Sequence, residues 1–158
     1  QIFFIPAFTG LGAPHWKPNV RGAIFGLTKS TSVPEIVKAT LDSISFQTLD
    51  LIQSMEKDAK TKLREIRVDG GMIENINFNQ SLANITQLKI IKPDNIETTS
   101  LGVAYLAGLQ SQLLKDHLEI VKLWKTKKIF KPKISKSNIN KRIKTWKNIV
   151  QYFINLNF

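Results

Sequence analysis

The stretch Leu63-Arg64-Glu65-Ile66-Arg67-Val68-Asp69-Gly70-Gly71 decides the architecture. Leu63 to Val68 reads as a strand, and Asp69-Gly70-Gly71 breaks it sharply before a short helix expected from about Glu74 to Asn84. Two glycines at the end of a strand let the backbone approach a ligand where a Cβ would clash. The helix start offers N–H groups and a positive dipole end, which suit phosphate or ribose oxygens. Asn75, four residues after Gly71, stands about one helical turn on, where its amide can meet a base edge or an α-phosphate. The turn is not a P-loop, because no Gly-Lys-Ser/Thr follows it. A Gly-Gly break after a strand is also a common purely structural device.

Working outward, Gln1 to Ile5 is a β-prone run ended by Pro6, and Arg21 to Leu27 reads as a second short strand. Between them, Thr9 to Asn19 carries two glycines and two prolines and is a structured loop. Thr31 or Ser32 caps a long helix, with Pro34 and Glu35 in its first turn. Apolar residues recur at spacings of three and four along it to about Lys57. Beyond the central turn, Leu88 to Lys92 is a strand stopped by Pro93. Thr98 or Thr99 caps a helix whose stripe of Leu101, Gly102, Ala104, Tyr105, Ala107 and Gly108 suits close packing onto a sheet. Leu113 to Trp124 reads as short helical turns and Lys127 to Lys131 as a small strand. Ser137 or Asn138 caps a last amphipathic helix with Ile139, Ile143, Trp146, Val150 and Phe153 on one face. Strands alternating with helices over short connections give an α/β domain over residues 1–158, with a basic helical extension from about residue 113.

Composition narrows the chemistry. An apolar fraction of 42% and a charged fraction of 22% exclude wholesale disorder in these 158 residues. The absence of cysteine excludes disulfides, thiolate metal sites and cysteine nucleophiles, and two histidines do not make a histidine-rich metal site. No apolar run approaches the ~20 residues that span a membrane, so a soluble, cytoplasmic protein without an integral membrane segment is expected. The net charge of +11 is uneven: residues 1–110 hold 11 basic and 10 acidic side chains, and residues 111–158 hold 12 and 2. The basic residues are 19 lysines and only 4 arginines in an isoleucine- and asparagine-rich chain. Codon-driven drift explains that pattern better than nucleic-acid binding, which favours arginine and exposed aromatics. A solvated lysine face over a docking helix and a membrane-surface helix are further readings of the tail.

Other groups carry weaker signals. His15 is a loop histidine without an evident serine or carboxylate partner, and Trp16 reads as a hydrophobic plug. Asp42 and Asp50 lie two turns apart on one face of the long helix, a spacing that suits a cation or simply an exposed face.

Read in order, these segments resemble the C-terminal domain of the glycerol kinases within the FGGY carbohydrate kinase family. The resemblance rests on Phe8 to Trp16 (Phe-Thr-Gly-Leu-Gly-Ala-Pro-His-Trp), Arg21 to Thr28, and Lys38 to Asp50. Gly22 to Asp42 satisfies the family's second signature. Arg67 to Gly71, Glu97 to Gly108, Phe130-Lys131-Pro132 and Trp146-Lys147 complete it across essentially the whole chain.

The resemblance implies an actin-like (ribonuclease H-like) ATPase domain, the C-terminal half of a two-domain sugar kinase that uses ATP and Mg²⁺ to make glycerol 3-phosphate from glycerol. It maps adenine-nucleotide contacts onto Gly71 and Met72 through backbone atoms and onto Asn75 through its side chain. It also implies that the catalytic aspartate, the glycerol pocket, the first phosphate loop and the metal ligands lie upstream. Gln1 is not an initiator methionine and the chain opens inside a strand, so a piece of a longer kinase is expected, inactive without its N-terminal half. The family implies ATP or ADP as ligand, that N-terminal half as partner, and a homo-oligomer as one state to test. Another polyol or sugar as acceptor, or a non-catalytic binding module, are the alternative readings. Departures from the family pattern fall at Met72 and Glu74, where small residues are usual, and at His15, Lys17 and Leu49.

Overall fold

The computed structural model describes residues 1–156. The last two residues of the expected C-terminal extension, 157 and 158, lie outside the described residues. Strands β1 (Phe3–Ile5) and β2 (Ala23–Phe25) pair antiparallel, with Phe3 opposite Phe25. Helix α1 (Val33–Asp58) follows, capped at Ser32 as expected: the Glu35 carboxylate accepts from the Ser32 N–H at 2.8 Å. Strand β3 (Glu65–Arg67), helix α2 (Ile76–Thr86) and strand β4 (Lys89–Pro93) form a βαβ unit in which β3 and β4 are parallel. Helices α3 (Thr98–Gln110) and α4 (His117–Leu123) lead to β5 (Thr126–Phe130), antiparallel to β4, and α5 (Lys136–Ile154) closes the described chain.

Helix α1 is the spine. Its buried side packs on β1 and α5 in a cluster that includes Phe3, Ile5, Phe46, Leu49, Ile139, Trp146, Val150 and Phe153. Phe46 and Trp146 stack at 5.1 Å between ring centroids and 11° between planes. The apolar stripe of α5 read from the sequence is therefore core, and its lysines face outward. A second cluster, Phe78, Leu82, Ala83, Ile90 and Phe130, fastens α2 to the three-stranded sheet.

Three sequence expectations change. The α5 cap is Ser135, whose hydroxyl accepts from the Asn138 N–H, so Ser137 and Asn138 lie inside the helix. Among the described residues no side chain of α3 is buried, so its stripe of small residues packs on no sheet in this chain. Helix α3 is capped at Glu97, and Thr98 is its first residue, with a hydroxyl committed elsewhere.

Asp42 and Asp50 are not an exposed pair: both are buried, and each is matched to α5. Asp42 accepts from Lys38 at 2.5 Å, from Arg142 at 2.8 Å and from the Ser81 hydroxyl, joining α1, α2 and α5. Asp50 accepts from the Trp146 indole N–H at 2.7 Å. Burial pushes the Asp42 carboxyl up, but the hydrogen bonds from Arg142, Lys38 and Ser81 together outweigh it and hold the group below its ordinary 3.8. Because the folded value lies below the unfolded one, this contribution to stability is fully present above the unfolded value and is lost as pH falls through the folded value. Urea midpoints should therefore drop below about pH 4, with Asp42 part of the cause. Asp42→Asn should cost about 3 kcal/mol at pH 7 by leaving Arg142 without its carboxylate. It should also flatten the acid limb of the urea-midpoint profile.

Candidate functional site: the turn after strand β3

Strand β3 ends beside β4, and the Val68 N–H continues the ladder to the Ile91 carbonyl at 3.1 Å. Gly70 then takes φ 83°, a conformation that a side chain would strain. Gly71 is different: its φ is ordinary, and a Cβ there would meet nothing in the chain within 4 Å. Neither conformation nor internal packing requires glycine at that position, so the space it leaves open faces outward.

The helix expected from about Glu74 to Asn84 forms as α2, two residues later, with a separate turn ahead of it. Gly71–Glu74 is one turn of 3₁₀ helix, and α2 begins only after Asn75. Asn75 is the α2 cap: its Oδ1 accepts from the N–H groups of Asn77 at 2.9 Å and Phe78 at 3.1 Å. The N–H groups of the second and third helical residues are thus already satisfied by the chain. Asn75 is exposed, and the amide Nδ2, a hydrogen-bond donor, is not used in the cap. Met72 is half exposed and Ile73 is buried beneath the turn. The three residues singled out by the family resemblance, Gly71, Met72 and Asn75, stand together on five consecutive exposed or anchoring positions.

Contacts that the sequence did not reveal hold this turn. Asn79, fully buried, donates from Nδ2 to the Ile73 carbonyl at 2.6 Å and to the Asn75 carbonyl at 3.0 Å. Its signal in the sequence is only its position four residues after Asn75, one α2 turn along. The Gly70 N–H donates to the Ile96 carbonyl at 3.2 Å, and the Thr98 hydroxyl donates to Asp69 Oδ2. The loop before α3 and the first residue of that helix therefore clamp the front of the turn. Lys92, buried on β4, pairs with Glu74 at 2.7 Å.

The remaining sequence candidates lie elsewhere. His15 Nε2 is 3.6 Å from Asp50 Oδ2, so the loop histidine does have a carboxylate beside it. Trp16 is 73% exposed and does not act as a plug within this chain. A cavity of about 510 Å³ lies between α1, α2 and α5, but its lining contains no residue from 69 to 75. Its charged wall is Asp42, ion-paired with both Lys38 and Arg142. Among the described residues no group of three or more His, Cys, Asp or Glu side chains could hold a metal ion. No helix among them is long and apolar enough to cross a membrane.

A parallel βαβ unit with an open glycine turn beyond the carboxyl end of its first strand defines an α/β domain. Residues 1–111 match the C-terminal domain of the FGGY family of carbohydrate kinases, and the chain belongs to that family. A glycerol kinase of Ectopseudomonas mendocina is 45% identical over 150 residues, which cover 95% of this chain and 30% of that protein. One of Mycoplasmoides gallisepticum is 44% identical over 155 residues, covering 98% and 30%. The chain thus spans about 30% of the length of these relatives. Among solved structures, a Plasmodium falciparum glycerol kinase with ADP superposes with a TM-score of 0.87 at 34% identity, over 99% of this chain and 31% of that one. A gluconate kinase of Lactobacillus acidophilus gives 0.83 at 26%, over 98% and 31%. The fold is the C-terminal actin-like ATPase domain expected from the sequence.

Replacing Asn79 by alanine should leave the buried Ile73 carbonyl without its donor. The expected loss is about 1–3 kcal/mol in chemical denaturation, with faster amide exchange confined first to residues 71–76.

Proposed function

We propose that this chain is the ATP-binding C-terminal part of a glycerol kinase, a cytoplasmic enzyme that transfers the γ-phosphate of ATP to glycerol and yields glycerol 3-phosphate. The observation that carries the reading is the turn at Gly71 to Asn75. Its one glycine without an internal reason opens outward beside a side-chain amide, at the head of a helix. The relatives support glycerol over other acceptors: among solved structures the glycerol kinase is 34% identical and the gluconate kinase 26%.

In this reading the chain binds and orients the nucleotide. Gly71 lets the ligand lie against the main chain, and Met72 supplies an apolar contact beside it. Asn75 donates from Nδ2 to a nucleotide acceptor atom, while its Oδ1 keeps α2 capped and the helix dipole aimed at the ligand. Asn79 and Lys92 keep the turn in place from beneath. Mg²⁺ accompanies the nucleotide, and no ligand to it is assigned among these residues. The general base and the acceptor pocket belong to the N-terminal half, which is the chain's partner in the reaction.

The double role of Asn75 gives the sharper test. Asparagine-to-alanine would remove cap and donor together, whereas Asn75→Asp keeps an Oδ acceptor for the cap and removes the donor. Calorimetric titration with Mg-ATP should show binding by the unaltered chain and at least tenfold weaker binding by Asn75→Asp, at unchanged thermal stability. Equal affinity would refute the assignment of Asn75. A coupled ADP-release assay should show no glycerol-dependent turnover by residues 1–158 alone, because positioning of nucleophile, metal and phosphate requires the other half.

A further inference from the structure

The carboxylate of Glu74 is part of the nucleotide turn, and it is tied down. Lys92 is 8% exposed on β4, while Glu74 is 56% exposed, and Lys92 Nζ donates to Glu74 Oε1 at 2.7 Å. A buried lysine thus reaches outward to hold an exposed carboxylate in one orientation, which a free surface glutamate would not keep. No other described donor is bonded to Oε2, so one carboxylate oxygen is fixed and its twin remains available. The hydrogen bond from Lys92, with the fields of Lys92 and Lys127 behind it, outweighs desolvation and holds the carboxyl below its usual range. Glu74 is therefore an anionic acceptor at neutral pH.

Its chemistry sorts the parts of a nucleotide. A polyphosphate presents only acceptors and negative charge, which a carboxylate repels. The hydrogen-bond donors of a nucleotide are the ribose hydroxyls and the exocyclic amino group of the base. Asn75, the next residue, is also exposed; its Oδ1 caps α2 and its Nδ2 is a donor, so adjacent positions of the turn carry groups of opposite hydrogen-bonding polarity.

Resting on the reading of this turn as the nucleotide site, we propose that Glu74, held in place by Lys92, is a specificity residue that accepts a hydrogen bond from a donor group of the nucleoside. Glu74 touches the nucleoside, and Lys92 is a positioning residue that acts through it. The pair favours a nucleoside over the phosphates at this end of the turn, so it sets both which nucleotide binds and which way round it lies.

The test is a set of affinities measured by calorimetry on the 158-residue chain with Mg complexes of ATP, 2′-deoxy-ATP, 3′-deoxy-ATP and ITP. ITP lacks the exocyclic amino group, and the deoxy analogues each lack one hydroxyl. One of the three should bind about tenfold more weakly than ATP, as expected for losing a hydrogen bond to a charged group, and its identity names the donor. In Glu74→Ala/Lys92→Met, which leaves no unpaired buried cation, ATP should weaken to the level of that analogue and the ratio should collapse to about one. Lys92→Met alone should reduce the ratio partway, with the helical circular dichroism signal of each variant confirming the fold. Equal binding of all four nucleotides to the unaltered chain overturns the proposal and leaves the nucleotide site standing. An undiminished ratio in the double variant overturns it too. No binding of any nucleotide to the unaltered chain overturns the site itself, and the proposal with it.

Discussion

The three-way attachment at Asp42 is the contact on which the rest of the arrangement depends. One buried carboxylate on α1 accepts from its own helix through Lys38, from α2 through Ser81 and from α5 through Arg142. Helix α2 carries the turn at its head, so its position relative to the spine fixes where Gly71 and Asn75 stand. The Phe46–Trp146 stack and the indole bond to Asp50 hold the same seam two turns further along α1. Three hydrogen bonds to one carboxylate offset the cost of burying its charge, which neither lysine nor serine alone would do.

From that seam the geometry runs outward to the turn in short steps. The cluster around Phe78, Leu82 and Ile90 presses α2 against the sheet, and Asn79 reaches up from the buried side of α2 to two carbonyls of the turn. Ile96 in the loop before α3 and Thr98 at the start of that helix close the front. A glycine in the left-handed region and a glycine facing open space are then adjacent, the first required by the backbone and the second by nothing inside the chain. The surroundings of the turn are held by several hydrogen bonds, while its outer edge at Gly71 meets no other part of the chain.

Much of this was legible in the sequence because the signals are local. The strand break at Asp69-Gly70-Gly71, the cap at Ser32 and the apolar stripe of α5 each follow from residue type and spacing, and each lies where expected. What was not legible depends on partners distant in the chain. Asp42 and Arg142 are 100 residues apart and Glu74 and Lys92 are 18 apart, so periodicity placed Asp42 on an exposed face and said nothing of Lys92. The same limit explains Thr98, which looks like a helix cap until Asp69 takes its hydroxyl. It also explains α3, whose small residues signal close packing without saying against what.

The most direct examination of the central claim is a ¹H–¹⁵N correlation spectrum of the chain titrated with Mg-ADP. Shifts should concentrate on the amides of Gly70 to Asn75 and on Ile96 to Thr98, and the Asn75 side-chain amide should move with them. Shifts confined to residues lining the cavity between α1, α2 and α5, or a spectrum that does not change, would contradict the assignment of the turn as the nucleotide site.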